Sequence, residues 1–435
     1  MSSGTAKRRW LGRGAWAMLD QVFFAGANFA VHLVLARLLP ESDYGAFAAG
    51  FAVFLIVGAA HTAFLTEPMV VFGSGRYQGR FARYLRVLMG SHLRLTGIAA
   101  LGLAVTAAVF WALGQYTFAT ALLAFALAQP VMLLPWLLRD ACYVRADPKT
   151  AAMSGMLYAA VIGVGLAVLW GTGAATIPAA IGVMGCAALT AGSFLTVRLA
   201  IPRRTGHTAI QRRAVQSRHV RYGLWAGPTN LIRFVPEQFP FLVLPLMLSY
   251  ADGGAYKALN NLTMPFIMAT YSVSALAQPV LVRRLREPGF YRLLVMVGGL
   301  LTAMPLLAWP LLGLTGGALT GLLYGDKYVE DAGLLWLLAG VPVAVAAHST
   351  LHAAFKAAER PDRVLPCAVM GALVLIAVGL PLTAWLGLPG MALAVLIAHA
   401  TQALAAGVIL AVVGLDRAPV ARPQAVGPNG AQPTA

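Results

Sequence analysis

Twelve apolar runs of about 20 residues, separated by short polar turns, organise the whole chain. A bilayer core about 30 Å thick needs about 20 apolar residues per helix, so each run is long enough to span a membrane. Charged residues make up 11% of the chain and hydrophobic residues 59%, whereas soluble proteins average about 25% charged residues. We therefore predict an all-α membrane protein with about twelve transmembrane helices. The runs fall at 14–38, 44–66, 87–111, 116–138, 151–171, 175–198, 223–249, 255–281, 293–315, 331–355, 365–386 and 389–414.

One run is longer than a simple span requires. It begins at 293 and stays apolar to 324. Its end contains the glycine-rich segment GLTGGAL, and glycine favours irregular backbone. We expect this end to leave the membrane as a non-helical segment.

The basic residues alternate between the two sides of the predicted membrane. With a cytoplasmic N-terminus, 27 of the 32 Lys and Arg residues, Arg139 among them, fall on the cytoplasmic side, while Arg37, Lys257 and Lys327 fall outside. Because cytoplasmic loops are rich in Lys and Arg, this pattern predicts twelve spans and cytoplasmic termini. It also accounts for the net charge of +17, so no nucleic-acid partner is expected.

The chain divides near its midpoint. The longest polar stretch, Ile201 to Arg221, is rich in arginine. We predict an N-terminal six-helix lobe at 1–200, a basic cytoplasmic linker at 201–222, a C-terminal six-helix lobe at 223–415 and a disordered cytoplasmic tail at 416–435. The tail is rich in Pro, Ala and Gly, a composition typical of disorder.

Two short sequence matches indicate that the lobes are repeats. Residues 42–47 (SDYGAF) match 251–256 (ADGGAY) at an offset of 209, and 143–149 match 355–363 at an offset of 212. Six spans per half make both halves enter the membrane in the same direction. The repeat is then parallel, with a pseudo-two-fold axis along the membrane normal and a central cavity across which the first and seventh spans face each other.

The seventh span carries charge where a membrane helix usually has none. Arg233 and Glu237 lie four residues apart near its centre, among four prolines. A charge at the bilayer centre costs about 2.5–3.5 kcal/mol, so such residues face a partner or a wet cavity. Two interpretations stand: Arg233 and Glu237 contact an anionic substrate, or they form a structural pair, with Asp20 of the facing first span as a further partner.

Other polar residues in the spans allow both functional and structural roles. Asp20 is a candidate for binding a coupling proton or sodium ion, or else a polar residue near the cytoplasmic headgroups. His61 and Glu67 are candidates for a proton path, or else a structural polar pair at a helix end. Arg37, with Glu41 and Asp43, forms either an outer gate or a solvated turn. The asparagines and glutamine of the spans bind sugar hydroxyls or neighbouring helices. These are Asn28, Asn230, Asn260, Asn261 and Gln278.

No cofactor or metal is expected, because the eight histidines lack a ligand motif. The cysteines Cys142, Cys186 and Cys367 show no paired spacing, and we expect them to be reduced.

Three segments carry a resemblance to a known family. LARLLPESDYGAFA (Leu35 to Ala48), GLLYGDKYVEDAGLLWLLA (Gly321 to Ala339) and AAERPDR (Ala357 to Arg363) resemble bacterial polysaccharide-unit flippases of the multidrug/oligosaccharidyl-lipid/polysaccharide exporter superfamily. The resemblance covers about residues 10–415. It implies two six-helix lobes, no enzymatic step, and a cargo of undecaprenyl-pyrophosphate-linked oligosaccharide moved to the periplasmic leaflet for O-antigen or exopolysaccharide synthesis. Membrane lipids and other polysaccharide-assembly proteins are the implied partners.

The first competing function is a cation-coupled antiporter for drugs or small molecules with the same fold, which favours an acidic, aromatic cavity. The second is a membrane glycosyltransferase or polymerase, which needs a sizeable outer loop carrying acids or arginines. The outer loops here are short. A central arginine suits pyrophosphate, because its planar fork pairs with phosphate oxygens. The sequence therefore favours the flippase.

Overall fold

The computed structural model describes residues 3–202, 209–285 and 287–415. Within these ranges, the side chains of 3–11, 209–210, 233, 275–276, 279 and 361 lie outside the description, and so do the predicted tail at 416–435 and part of the predicted linker. The helices are α1 (Ser3–Leu38), α2 (Glu41–His61), α3 (Glu67–Ser74), α4 (Phe81–Ala112), α5 (Tyr116–Met132), α6 (Leu134–Val144), α7 (Pro148–Thr172), α8 (Ile177–Arg198), α9 (Ala209–Met247), α10 (Tyr250–Arg284), α11 (Phe290–Tyr324), α12 (Leu335–Leu338), α13 (Val341–Ala357), α14 (Val364–Leu386) and α15 (Leu388–Val413).

Within the described residues these helices form twelve rods, as the apolar runs predict. Three of the rods contain two helices each. The short helix α12 continues into α13 through Ala339 and Gly340. A π-helical turn at Thr62–Thr66 joins α2 to α3, and a break at Leu133, between Pro130 and Pro135, divides another rod into α5 and α6. Proline removes a backbone donor, which explains the break. Ten rods are long and apolar enough to cross a membrane. The other two, α9 and α10, fall short of that composition, and both carry charge within the predicted spans.

One expectation about an irregular segment is wrong. The GLTGGAL segment does not leave the helix, because α11 is continuous from Phe290 to Tyr324. A side chain at Gly313 or Gly316 would collide with Trp336 or Leu335, so the glycines make room for α12. Of the predicted linker, residues 209–222 belong to α9, which begins at Ala209.

The two halves repeat the same packing, which confirms the predicted two-lobe, all-helical fold. In the first lobe, α1 packs on α7, α7 on α8, and α4 on α5. In the second lobe, α9 packs on α14, α14 on α15, and α11 on α13. Between the lobes, α2 packs on α9 and α10, and α1 packs on α10 and α11.

The first repeated motif lies where the lobes cross. A Cβ atom added to Gly45 would lie 1.6 Å from the Tyr250 carbonyl oxygen, and one added to Gly254 would lie 2.5 Å from the Glu41 carbonyl oxygen. Gly45 and Gly254 are separated by the repeat offset of 209, as are Glu41 and Tyr250. The equivalent glycines therefore meet at the pseudo-two-fold axis, and only glycine allows this close approach.

The second repeated motif forms equivalent turns, shifted by one residue from the sequence match. The turn after α6 has Ala146 at φ 56°, and the turn after α13 has Glu359 at φ 61°. Their separation of 213 residues also aligns Pro148 with Pro361. The predicted repeat offset of 212 residues is therefore wrong by one. The residues with positive φ and the prolines that follow them are equivalent at an offset of 213.

Candidate functional site

A central cavity of about 480 Å³ lies between the two lobes. Both α1 and α9 line it, as the predicted symmetry requires, together with residues of α2, α10, α13 and α15. Most of its wall is apolar. The polar groups come from both lobes and include Asn28, His32, Glu237, Lys257, Asn260 and His399. We use "inner" for the end at which α1 begins, predicted to be cytoplasmic, and "outer" for the opposite end.

Lys257 is a cation of this cavity, and its predicted place in an outer loop is wrong. It lies in the third turn of α10, and its side chain is 8% exposed. Its ammonium lies 4.6 Å from the centre of the Phe241 ring, a cation–π contact. Glu237 and His32 lie within electrostatic range. Lys257 lies only two residues inside the predicted span 255–281, and for that reason it was predicted to lie in the outer loop.

Glu237 also faces the cavity. The Tyr271 hydroxyl donates a hydrogen bond of 3.4 Å to Glu237 Oε1. Arg233 lies one helical turn earlier in α9, but its side chain is outside the described part of the structure. Its pairing with Glu237 and its contact with substrate stay predictions.

The prolines of α9 modify the cavity wall without ending the helix. Pro236 and Pro240 line the cavity, and α9 continues through both. Each proline lacks the N–H that would bind the carbonyl four residues earlier. The Ile232 and Pro236 carbonyl oxygens are thus available as acceptors beside Glu237.

A second cavity of about 280 Å³ lies within the second lobe and shares Pro236, Glu237, Tyr271 and His399 with the first. Its three histidines, His348, His352 and His399, were not among the predicted site residues. His399 Nδ1 lies 3.4 Å from His348 Nε2, and the His348 and His352 rings are 5.1 Å apart. The spacing of four residues between His348 and His352 places both on one helix face, a signal that was present in the sequence. Gln278 lines the same cavity.

Asp20 is fully buried and paired with Arg139. Arg139 Nε and Nη2 donate hydrogen bonds of 3.0 and 2.8 Å to the two Asp20 oxygens, and the Tyr143 hydroxyl donates one of 2.6 Å. The guanidinium also lies 4.0 Å from the centre of the Phe24 ring. The Asp20 carboxylate is therefore bound by Arg139, and its predicted pairing with Arg233 stays a prediction, because the Arg233 side chain is outside the described part of the structure. Arg139 belongs to the protein interior rather than to a cytoplasmic loop.

Asn28 and Asn230, both predicted to bind substrate or neighbouring helices, lie in different environments. Asn28 lines the central cavity and accepts a hydrogen bond of 3.1 Å from the Tyr158 hydroxyl. Asn230 donates a hydrogen bond of 3.1 Å to Glu67 Oε1 and so joins α9 to the opposite lobe. Among the later asparagines, Asn261 donates one of 2.8 Å to the Tyr44 hydroxyl, also between lobes.

His61 and Glu67, predicted as parts of one proton path, have different partners. His92 Nε2 donates to the Pro130 carbonyl over 2.9 Å, so His92 Nδ1 accepts from His61 Nε2 over 3.0 Å. Both histidines are buried inside the first lobe. Glu67 instead faces α9, where it binds Asn230.

The outer end is closed by contacts between the lobes. Arg37 Nη1 donates hydrogen bonds to the Leu322 and Leu323 carbonyls at 3.0 and 3.1 Å. Lys327 Nζ donates to the Arg37 and Leu39 carbonyls at 2.9 and 2.7 Å. These contacts join the outer end of α1 to the outer end of α11 and the turn that follows it. Glu41 and Asp43 lie in the first turn of α2, where the helix dipole favours acids.

The comparisons with known proteins show the fold. No protein-family model and no curated protein matches the chain. An inward-facing multidrug-resistance MATE transporter of the MOP superfamily is similar, with a TM-score of 0.72 and 14% identity over 93% of this chain and 96% of that one. The lipid II flippase MurJ in an inward closed conformation gives 0.71 and 12% identity over 93% and 87%. A MOP superfamily transporter from Pyrococcus furiosus gives 0.66 and 14% over 92% and 94%.

An outward-facing MATE structure, again 14% identical, gives a TM-score of 0.57. The chain is a multi-pass membrane protein with the two-lobe fold of MATE transporters and MurJ.

Proposed function

We propose that the protein is a flippase that moves undecaprenyl-pyrophosphate-linked oligosaccharide units from the cytoplasmic to the periplasmic leaflet of a bacterial inner membrane. The observation that carries this proposal is the buried Lys257 ammonium in the wall of the inter-lobe cavity. A cation held inside a membrane is costly, so it is retained where it serves a function. Here it would pair with the pyrophosphate of the cargo.

The composition of the cavity suits such a cargo. A pyrophosphate needs cations and hydrogen-bond donors, while sugars need amides and hydroxyls. Lys257 supplies the charge, and Asn28 and Asn260 supply amide groups in the same cavity. Arg233, predicted on the adjoining helix, adds a second cation, and Glu237 holds these cations when the cargo is absent. The apolar remainder of the wall accommodates the polyprenyl chain.

Alternating access would move the cargo. Arg37 and Lys327 hold the outer end closed. The close contact of α2 with α10 at Gly45 and Gly254, which we call the glycine crossing, keeps these two helices together there. Loading from the inner side, followed by separation of these contacts, would expose the cavity to the other leaflet. Asp20, His61 and Glu67 stay candidates for coupling ions. Assembly proteins that receive the cargo are the proposed partners.

The test uses a strain that lacks its native flippase and accumulates lipid-linked units. The wild-type chain restores surface glycan. Lys257→Met and Arg233→Ala are each expected to fail although the protein is inserted, because a hydrogen bond to a charged group is worth about 1.5–3 kcal/mol, or about 10- to 100-fold in binding. Lys257→Arg retains part of the activity, and Lys149→Met, a lysine over the Trp16 ring away from the cavity, serves as control. Full restoration by Lys257→Met would remove this lysine from the mechanism.

A cation-coupled antiporter is the second candidate, and Glu237 favours it. Its carboxylate faces the same cavity with Tyr271 and the His399 ring nearby, an arrangement that can bind an organic cation or a proton. An antiporter would raise drug resistance in a sensitive strain, would depend on Glu237, and would be insensitive to Lys257→Met. A flippase shows the opposite pattern.

A further inference from the structure

A separate pocket of about 590 Å³ lies at the inner end of α9, on the seam between the lobes. Its walls are Phe72 of α3 and residues of α9, and it shares no residue with the two cavities above. The remaining lining residues are Arg218, Arg221, Tyr222, Trp225 and Ala226. The transport mechanism uses none of them.

The charge and shape of this pocket fit a lipid headgroup with its chain. Arg218 and Arg221 supply two guanidinium groups one turn apart, and the described salt bridges involve neither. Glu67 lies within electrostatic range of Tyr222, but its carboxylate accepts a hydrogen bond from Asn230. The pocket is therefore positively charged at its rim.

The apolar side chains of the pocket are exposed at the surface of the protein. Trp225 is 83% exposed, and the neighbouring Leu224 is 64% exposed. The Phe72 ring packs edge-on against Tyr222 at 6.0 Å, forming an aromatic wall. Trp and Tyr concentrate at the level of the headgroups, where an apolar ring and a polar edge are both satisfied.

The same segment joins the two lobes. Arg218 Nη1 donates a hydrogen bond of 2.7 Å to the Tyr77 hydroxyl, and His219 Nδ1 donates one of 2.9 Å to the Phe64 carbonyl. With Nδ1 protonated, His219 Nε2 accepts from the Tyr84 hydroxyl over 2.6 Å. A side chain at Gly223 would collide with Phe64. Anything bound here touches both lobes and stabilises the arrangement in which α9 lies against the first lobe.

We propose that this pocket binds an anionic diacyl phospholipid. The Arg218 and Arg221 guanidinium groups hold its phosphate, and an acyl chain lies along Phe72 and Trp225. The bound lipid stabilises the inner seam between α9 and the first lobe. This site is separate from the site proposed for the transported cargo, because it shares no lining residue with the central cavity.

The test titrates the purified full-length protein in detergent with dioleoyl phosphatidylglycerol or dioleoyl phosphatidylcholine, with thermal unfolding and native mass spectrometry as readouts. Phosphatidylglycerol is expected to raise the unfolding temperature and to remain bound, whereas phosphatidylcholine is not. Each arginine contributes about fivefold in affinity, the equivalent of about 1 kcal/mol per basic residue at a lipid surface. Arg221→Gln is thus expected to weaken binding about fivefold and Arg218→Gln/Arg221→Gln about 25-fold.

Arg213→Gln is the matched control, because it removes the same charge from an exposed position of α9 that does not line the pocket. It leaves the phosphatidylglycerol shift unchanged if the site is specific. An equal loss with Arg213→Gln, or an equal shift with phosphatidylcholine, overturns the proposal.

Trp225→Ala changes only an exposed side chain, so it tests the apolar wall in a folded protein and is expected to weaken binding. Displacement of phosphatidylglycerol by substoichiometric undecaprenyl phosphate would assign the pocket to the cargo and overturn the proposed occupant.

Discussion

At the residue scale, Asp20 and Arg139 form a buried ion pair in the first lobe. Two charge-assisted hydrogen bonds and a tyrosine satisfy the carboxylate, and no part of it reaches solvent. Such geometry compensates for desolvation only while both partners are present. The pair therefore contributes mainly to holding α1 against α6 and α7.

Removing one partner leaves the other buried and uncompensated. Asp20→Asn is expected to destabilise the protein by about 3–5 kcal/mol, measured by thermal or denaturant unfolding in detergent. Asp43→Asn, in the first turn of α2, is the control and is expected to cost much less. A double-mutant cycle with Arg139→Gln checks the assignment, because independent effects would show that the two residues are not coupled.

These two residues also show the limit of sequence reasoning at this scale. Asp20 and Arg139 are 119 positions apart, and nothing local indicates that they meet. Counting Arg139 as a loop residue follows from its position at a span end, where a cation usually reaches water. Lys257 was misplaced for the same reason. The charges at the centre of α9 were visible, because a mid-span charge is unusual anywhere.

At the element scale, the apolar runs of the sequence predicted the helices. The repeated motif predicted only which helices are equivalent and not where they contact each other. Backbone groups in a bilayer must be satisfied within the chain, so apolar runs of this length form helices. The continuous α11 shows that this requirement outweighs the irregular preference of GLTGGAL. The match between 42–47 and 251–256 identified equivalent positions. Only the structure shows that Gly45 and Gly254 contact the opposite helix.

The glycine crossing predicts a conformational effect. Gly45→Ala cannot fit beside the Tyr250 carbonyl, so α2 and α10 must separate at their outer ends. The distance between spin labels at Tyr116 and Trp385, on the exposed outer surfaces of the two lobes, is expected to increase in electron spin resonance measurements. Gly97→Ala, where an added Cβ meets open space, should leave it unchanged. An unaltered distance for Gly45→Ala would show that the crossing does not control closure.

At the scale of the whole molecule, the lobes touch at the outer end and along one side of the inner end. The outer contacts are those of Arg37, Lys327 and the glycine crossing, and the inner contact is α9 against the first lobe. A two-lobe transporter changes state by exchanging such contacts. Within the described residues, a few side-chain hydrogen bonds link the lobes at each end, and the loss or gain of these bonds changes the relative stability of the two states.

The double variant Arg37→Met/Lys327→Met tests this balance. It removes four hydrogen bonds from charged donors to carbonyls of the outer seam. At about 1 kcal/mol net per hydrogen bond, the outer-closed population falls substantially. The spin-label distance between the outer surfaces is expected to lengthen. Arg145→Met is the control, because its guanidinium lies over the Phe81 ring within one lobe, at 5.7 Å. A double variant that stays closed would place the control of the outer end in the packing of α2 on α10 rather than in these cations, since that contact alone would then suffice to hold the lobes together.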